Sequence, residues 1–107
     1  MKLWRIATAT KDYAAADLSG GGAARYPGRW NSHTEPVVYC APTRGIAVLE
    51  TAAHINDSSF PQNRYVVEID VPNDVWSQRE EVPASLLPAA WDAIPPGHAS
   101  IKYGSTW

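Results

Sequence analysis

The chain has 107 residues, with nine Lys and Arg against eleven Asp and Glu (formal net charge −2), 45% hydrophobic and 19% charged residues, and five tryptophans and five tyrosines. Such a composition describes one globular domain with a small core; it excludes an intrinsically disordered chain and, with no basic stripe, a direct nucleic-acid binder. A single cysteine, Cys40, excludes an internal disulfide, and no signal pattern or long apolar run opens the chain, so a reducing, cytoplasmic home with no membrane partner is expected.

Leu3 to Ala7 reads as an opening strand with Arg5 inside it, and Tyr13 to Leu18 as an alanine-rich helical turn broken at Ser19–Gly22. From Ser19 to Gly28 the glycines and Pro27 predict an irregular loop, directly followed by Arg29. Pro36 opens an extended run, Val37-Val38-Tyr39-Cys40, whose β-branched and aromatic residues predict a strand ending at Pro42-Thr43.

Thr43 is placed to cap a helix over Arg44–Ile55. There Ile46, Val48, Leu49, Ala52, Ala53 and Ile55 predict a largely buried helix with Glu50 as its only acid, closed by Asn56–Ser59. Tyr65, Val67, Ile69 and Val71 alternate with Val66, Glu68 and Asp70, the period of a strand with one face more buried, ending at Pro72. Prolines at 83, 88, 95 and 96 then cut the chain into short pieces, with a broken helix expected over Ala84–Ile94 around Pro88. The fold class expected is α+β, a small mixed sheet with short helices, in one domain over 1–107 without repeat or linker.

Gly28-Arg29-Trp30-Asn31, Tyr39 and Glu50 form the candidate site. An arginine offers fixed donors for paired oxygens, Trp30 and Tyr39 offer flat faces, Asn31 an amide that donates and accepts, and a carboxylate stabilises positive charge. Together they suit an anionic, ring-bearing ligand such as a nucleotide. Each also has an ordinary reading: Arg29 in a surface ion pair, Trp30 in the core, Tyr39 as a half-buried aromatic with a wet hydroxyl. Glu50 either sits on a polar edge with Arg44, Ala47 and Thr51, or is a carboxylate in a buried helix that must be paired or functional. Arg5 is either an edge-strand charge or an inward donor.

His33, His54 and His98 are far apart, with no metal-ligand spacing, so no metal is expected. Cys40 reads as a small buried hydrophobe rather than a nucleophile. Gly20-Gly21-Gly22 lacks the lysine and spacing of a P-loop.

Taken together, Leu3-Trp4-Arg5-Ile6, Gly28-Arg29-Trp30-Asn31, Pro36-Val37-Val38-Tyr39-Cys40-Ala41 and Ala47-Val48-Leu49-Glu50 resemble the RES domain, named for an arginine, a glutamate and a serine. Val66 to Pro72 and Gly104 to Trp107, a Gly-x-x-Trp element, also look like the family's. The resemblance implies a toxin of a bacterial type II toxin–antitoxin pair, with a fold similar to ADP-ribosyltransferase toxins, that degrades NAD+ or transfers its ADP-ribose to a protein. NAD+ is then a substrate, and no cofactor is implied.

By the same resemblance Arg29 and Glu50 match the arginine and glutamate of the name, and Arg5 and Tyr39 match further pocket residues. The implied partner is a helix-turn-helix antitoxin that blocks the pocket. The family's serine follows the Gly-x-x-Trp element, whereas this chain stops at Trp107; Ser105 lies inside the element and is a different residue. A short, catalytically impaired module that still docks an antitoxin is therefore the competing expectation, and unpaired sheet edges favour a homo-oligomer.

Overall fold

The computed structural model describes residues 1–9, 11, 14–53, 64–93 and 96–107. Among these described residues are two strands, β1 (Lys2–Thr8) and β2 (Arg64–Asp70), four helices, α1 (Gly21–Arg25), α2 (Arg44–Ala53), α3 (Asn73–Ser77) and α4 (His98–Thr106), and a 3-10 turn at Ala84–Leu86. The class is α+β, a small sheet with short helices, as expected from the sequence. Two compact units divide the chain: Met1–Asp17 with Tyr39–Arg79, and Leu18–Val38 with Glu80–Trp107. No helix among the described residues is long and apolar enough to cross a membrane.

In the first unit β1 and β2 pair antiparallel, Lys2 opposite Asp70 through Thr8 opposite Arg64. Side chains alternate between the faces of a sheet, so Leu3, Arg5 and Ala7 share a face with Ile69, Val67 and Tyr65. This is the more buried face: Ala7 is buried and Val67 and Ile69 are half-buried, while Val66, Glu68 and Asp70 opposite are exposed. The period-two pattern was therefore a true guide to β2. Lys2 reaches Glu68 across the exposed face at 3.0 Å, and the carboxylate raises the Lys2 pKa.

The other edge of β1 carries one bridge, Trp4 to Ala41, closed by N–H···O bonds of 2.8 and 2.7 Å. The strand expected over Val37–Cys40 does not form. Its residues favour an extended backbone, but the run is shared out: Val37 and Val38 belong to the second unit, Tyr39 and Cys40 to the first. No single ladder can collect them.

Thr43 caps α2 as expected, its Oγ1 accepting the Ile46 N–H at 3.1 Å. α2 packs on β1, with Ala47 buried and the Arg44 guanidinium 4.3 Å over the Trp4 ring. It is not largely buried, however: Ile46, Val48 and Leu49 are 42%, 51% and 70% exposed. A two-stranded sheet can cover only one stripe of a helix. His54, Ile55 and the expected stop at Asn56–Ser59 lie outside the described residues. Past Pro72 comes α3, and Arg79, two residues beyond its end, lays its guanidinium 4.2 Å over the Trp76 ring.

The alanine-rich helical turn expected over Tyr13–Leu18 is, in its described part, a single turn closed by Asp17 N–H to Ala14 O at 3.1 Å; Tyr13 lies outside the described residues. In the second unit the glycine-rich stretch is not all loop, because Gly21–Arg25 is helical. Gly20 turns the chain into α1 at φ 76°, where any Cβ would meet the Val37 amide. Among the described residues of Ala84–Ile94 the helical element is the 3-10 turn at Ala84–Leu86, followed by turns closed by Trp91 N–H to Pro88 O and Ala93 N–H to Ala90 O. Leu87, which precedes Pro88, is extended at φ −83° and ψ 151°, as the proline ring demands of its neighbour. Ile94 lies outside the described residues.

Candidate functional site

Arg29, Trp30 and Asn31 sit together in the second unit, on a loop from Gly28 to Glu35. Asn31 is its hub, 1% exposed. Its Oδ1 accepts the Gly28 N–H at 2.8 Å, and its Nδ2 donates to Ala23 O at 2.8 Å and Glu35 O at 3.0 Å. That amide is fully engaged with backbone, so Asn31 acts on its surroundings by holding the loop.

Glu35 closes the loop. Its Oε1 accepts from the Ser32 N–H and, at 2.6 Å, from the Ser105 hydroxyl, which also lies 2.9 Å from Ser32 Oγ. These donors, Ser105 foremost, hold the Glu35 carboxyl below its ordinary pKa. Sequence reasoning named Ser105 without giving it a role and passed over Glu35, although for Glu35 a signal was present. Ser32-His33-Thr34-Glu35 has the S-x-x-E spacing in which a glutamate reaches back to a backbone amide.

The half-buried Arg29 side chain donates from Nη1 to Trp91 O at 2.8 Å and Ala93 O at 2.7 Å. Next to it the Trp30 ring stacks on Trp91, centroids 6.0 Å apart at 21°, and meets Tyr103 edge-on at 6.3 Å. Trp30 is thus packed on aromatics, and among the described residues the arginine is seated by two carbonyls rather than by a surface ion pair. Two residues nearby take the left-handed backbone without being glycine, Thr34 at φ 75° and Ala90 at φ 65°, strain that tends to collect at functional sites.

Arg5, Tyr39 and Glu50 belong to the first unit. Arg5 lies on the buried face of β1 and is the inward donor rather than the edge charge. Its Nη1 is 3.4 Å from Asp17 O; among the described residues its buried Nε has no hydrogen-bond partner. Tyr39 is 37% exposed, and Cys40 beside it lies within electrostatic reach of Arg5. The Cys40 thiol is exposed, not buried as expected. Desolvation still pushes its pKa up, partly opposed by Arg5, so it is a poor thiolate. Glu50 is exposed and follows the buried Ala47 by three residues, at the flank of the face that α2 turns to the sheet.

No group of three or more His, Cys, Asp or Glu among the described residues could hold a metal. What the two sets offer is a seated guanidinium beside stacked rings in one unit, and a second guanidinium with a tyrosine and a carboxylate in the other. Oxygen-rich anions and flat rings are the chemistry such groups recognise.

A model of the RES domain matches residues 2–107. A protein named Prs ADP-ribosylating toxin, from Sphingobium sp. (strain YBL2), is 48% identical over 104 residues, covering 97% of this chain and 65% of that protein. Proteins named Toxin Res are similar too: that of Photorhabdus laumondii subsp. laumondii is 34% identical over 107 residues, covering all of this chain and 65% of the toxin. That of Pseudomonas putida is 38% identical over 97 residues, covering 89% of this chain and 60% of the toxin. The chain thus spans less than two thirds of the length of these relatives.

Proposed function

Because the chain belongs to the RES domain family, we propose that it cleaves the nicotinamide–ribose bond of NAD+ as part of a toxin of a bacterial type II toxin–antitoxin system. The observation that carries this reading is the seated guanidinium of Arg29 beside the Trp30 ring, within the second unit. Arg29 is seated through Nη1 on two carbonyls, and a guanidinium carries further donors on its other nitrogens, suited to a diphosphate. Arg5 keeps a buried Nε–H without a protein acceptor among the described residues, which would cost about 1–3 kcal/mol if left unmet. A diphosphate oxygen satisfies it.

In this reading Arg29 binds the diphosphate by charge-assisted hydrogen bonds beside the flat face of Trp30, and the remaining contacts are assigned by the family resemblance alone: Arg5 to the diphosphate and Tyr39 to the nicotinamide ring. Asn31 contributes by fixing the loop. As the bond breaks, nicotinamide leaves neutral with the bonding pair, and positive charge builds on the ribose, so no general acid is required. Glu50 orients the ribose and stabilises that charge. Water attacks the anomeric carbon, loses a proton, and ADP-ribose results. The partner is a helix-turn-helix antitoxin, and the place of action is the cytoplasm, where NAD+ is found.

A second reading is favoured by the name of the Sphingobium relative, an ADP-ribosylating toxin: the same cation captured by a protein nucleophile. Incubating the purified chain with NAD+ and following nicotinamide, free ADP-ribose and labelled protein separates the two. Nicotinamide with stoichiometric free ADP-ribose supports hydrolysis, and label on protein supports transfer. No nicotinamide, together with no stabilisation of the fold by NAD+, would reject both and leave a docking module.

A further inference from the structure

We propose that Glu35 and Ser105 are positioning residues, a latch between α4 and the Gly28–Glu35 loop that sets where Arg29 stands; the positioning role rests on the reading of Arg29 as an NAD+-binding group. Bonds from both ends of the loop converge on Glu35. Its carbonyl accepts from Asn31 Nδ2 at 3.0 Å, and Asn31 Oδ1 accepts from the Gly28 N–H at 2.8 Å, which fixes the backbone just before Arg29. The Glu35 carboxylate accepts from the Ser32 N–H and from the Ser105 hydroxyl at 2.6 Å. Ser105 Oγ also stands 2.9 Å from Ser32 Oγ. The hydroxyl of Ser105 is therefore the tie by which α4 holds the far end of the loop.

Ser105 is preceded by Gly104, whose backbone lies against that of Trp30, so the helix meets the loop at two consecutive residues. A hydrogen bond to an ionised carboxylate is stronger than a neutral one, and the lowered Glu35 pKa reports that this carboxylate is being stabilised by its donors. Removing one donor loosens the loop rather than the core, because Ser105 and the tie it makes are exposed. The effect then falls on the residue that the loop presents, Arg29. Since Arg29 contacts the diphosphate before and during bond cleavage alike, loss of its position weakens binding and leaves kcat nearly unchanged.

The test compares Ser105→Ala, Ser105→Thr and the parent chain. Carbon-13 NMR of the Glu35 carboxyl gives its titration, calorimetry gives the NAD+ dissociation constant, and nicotinamide release gives kcat. Expected for Ser105→Ala are an upward move of the Glu35 titration, affinity weakened roughly threefold to tenfold, the range of one hydrogen bond, and kcat within a factor of two or so. Ser105→Thr, which keeps the hydroxyl, restores both titration and affinity. An unchanged Glu35 titration in Ser105→Ala overturns the latch, whatever NAD+ does. A moved titration with unchanged affinity overturns the positioning role alone. No NAD+ binding by the parent chain overturns the functional reading and the positioning role with it, and is recognised because the titration difference is then seen without any ligand effect.

Discussion

Gly104 and Trp30 lie backbone against backbone: a Cβ added at 104 would overlap the Trp30 carbonyl. Within a helix alanine is ordinarily favoured over glycine by about 1 kcal/mol, so here two effects of opposite sign compete. Overlap with main chain cannot be relieved by a rotamer change. Overpacking of this kind costs about 1–3 kcal/mol and sometimes more. Gly104→Ala is therefore expected to lower stability by about 2 kcal/mol net, read as a lower urea midpoint. A variant as stable as the parent would mean that α4 does not seat against this loop.

The buried Asn31 amide makes a different demand on the same loop. Asn31→Ala leaves the Gly28 amide and the Ala23 and Glu35 carbonyls without the partner they have now. Each deserted buried group costs on the order of 1–3 kcal/mol, less where water can enter. A loss of about 3 kcal/mol is expected, again by denaturant unfolding. Asn31→Asp should be no milder, since a carboxylate cannot donate and brings a charge to a nearly closed site. Near-parental stability in either variant would contradict the hub role.

Backbone strain gives a prediction of the opposite sign. Thr34 takes φ 75° although β-branched residues are the least suited to it. Thr34→Gly removes that strain, worth about 1–3 kcal/mol, against a glycine entropy cost of about 0.5–1 kcal/mol. A small gain in stability is the expected result, and a clear loss would show that the threonine side chain contributes something the backbone angle does not reveal.

How far the chain could be read in advance follows the range of the interactions involved. β1, β2 and the Thr43 cap were legible because their signals are local: alternation, and a hydroxyl three residues before the amide it meets. The extended run at Val37–Cys40 misled because propensity reports backbone shape and not the presence of a partner. α1 was hidden by glycines that mark loops elsewhere. α4 was hidden by Gly104 and by the serines and threonine at 100, 105 and 106, all weak helix formers. The candidate arginines and Glu50 were legible as residue types, but their settings were not. That Arg29 is seated on the carbonyls of Trp91 and Ala93, more than sixty positions away, is a long-range fact that no local pattern carries.

That seating separates two roles of one side chain. An ammonium at 29 can still donate to two carbonyls, so Arg29→Lys should leave most of the loop's stability in place. It cannot offer the planar fork for a diphosphate. Expected, then, is NAD+ affinity weakened roughly tenfold or more, as for loss of a charged hydrogen bond, with a small shift in the unfolding midpoint. Arg29→Ala should reduce both. Equal losses of stability in the two variants, with NAD+ affinity unaffected in the lysine form, would reduce Arg29 to a structural residue.

Glu50 calls for a substitution that removes charge and keeps shape. It is exposed on α2, so Glu50→Gln should scarcely alter folding, and an amide still accepts a hydrogen bond from a ribose hydroxyl. What it lacks is the negative charge that, in the proposed reaction, would counter the cation formed as nicotinamide departs. An interaction made chiefly in the transition state lowers kcat and leaves binding nearly intact. Removing one electrostatic group of this kind commonly costs about 10²–10³ in rate. The NAD+ dissociation constant of Glu50→Gln is expected within about threefold of the parent, with nicotinamide release reduced by roughly two orders of magnitude or more. Parental turnover in that variant would remove Glu50 from the chemistry, and a parallel loss of binding would recast it as a group that holds the ground state rather than one that stabilises the cation.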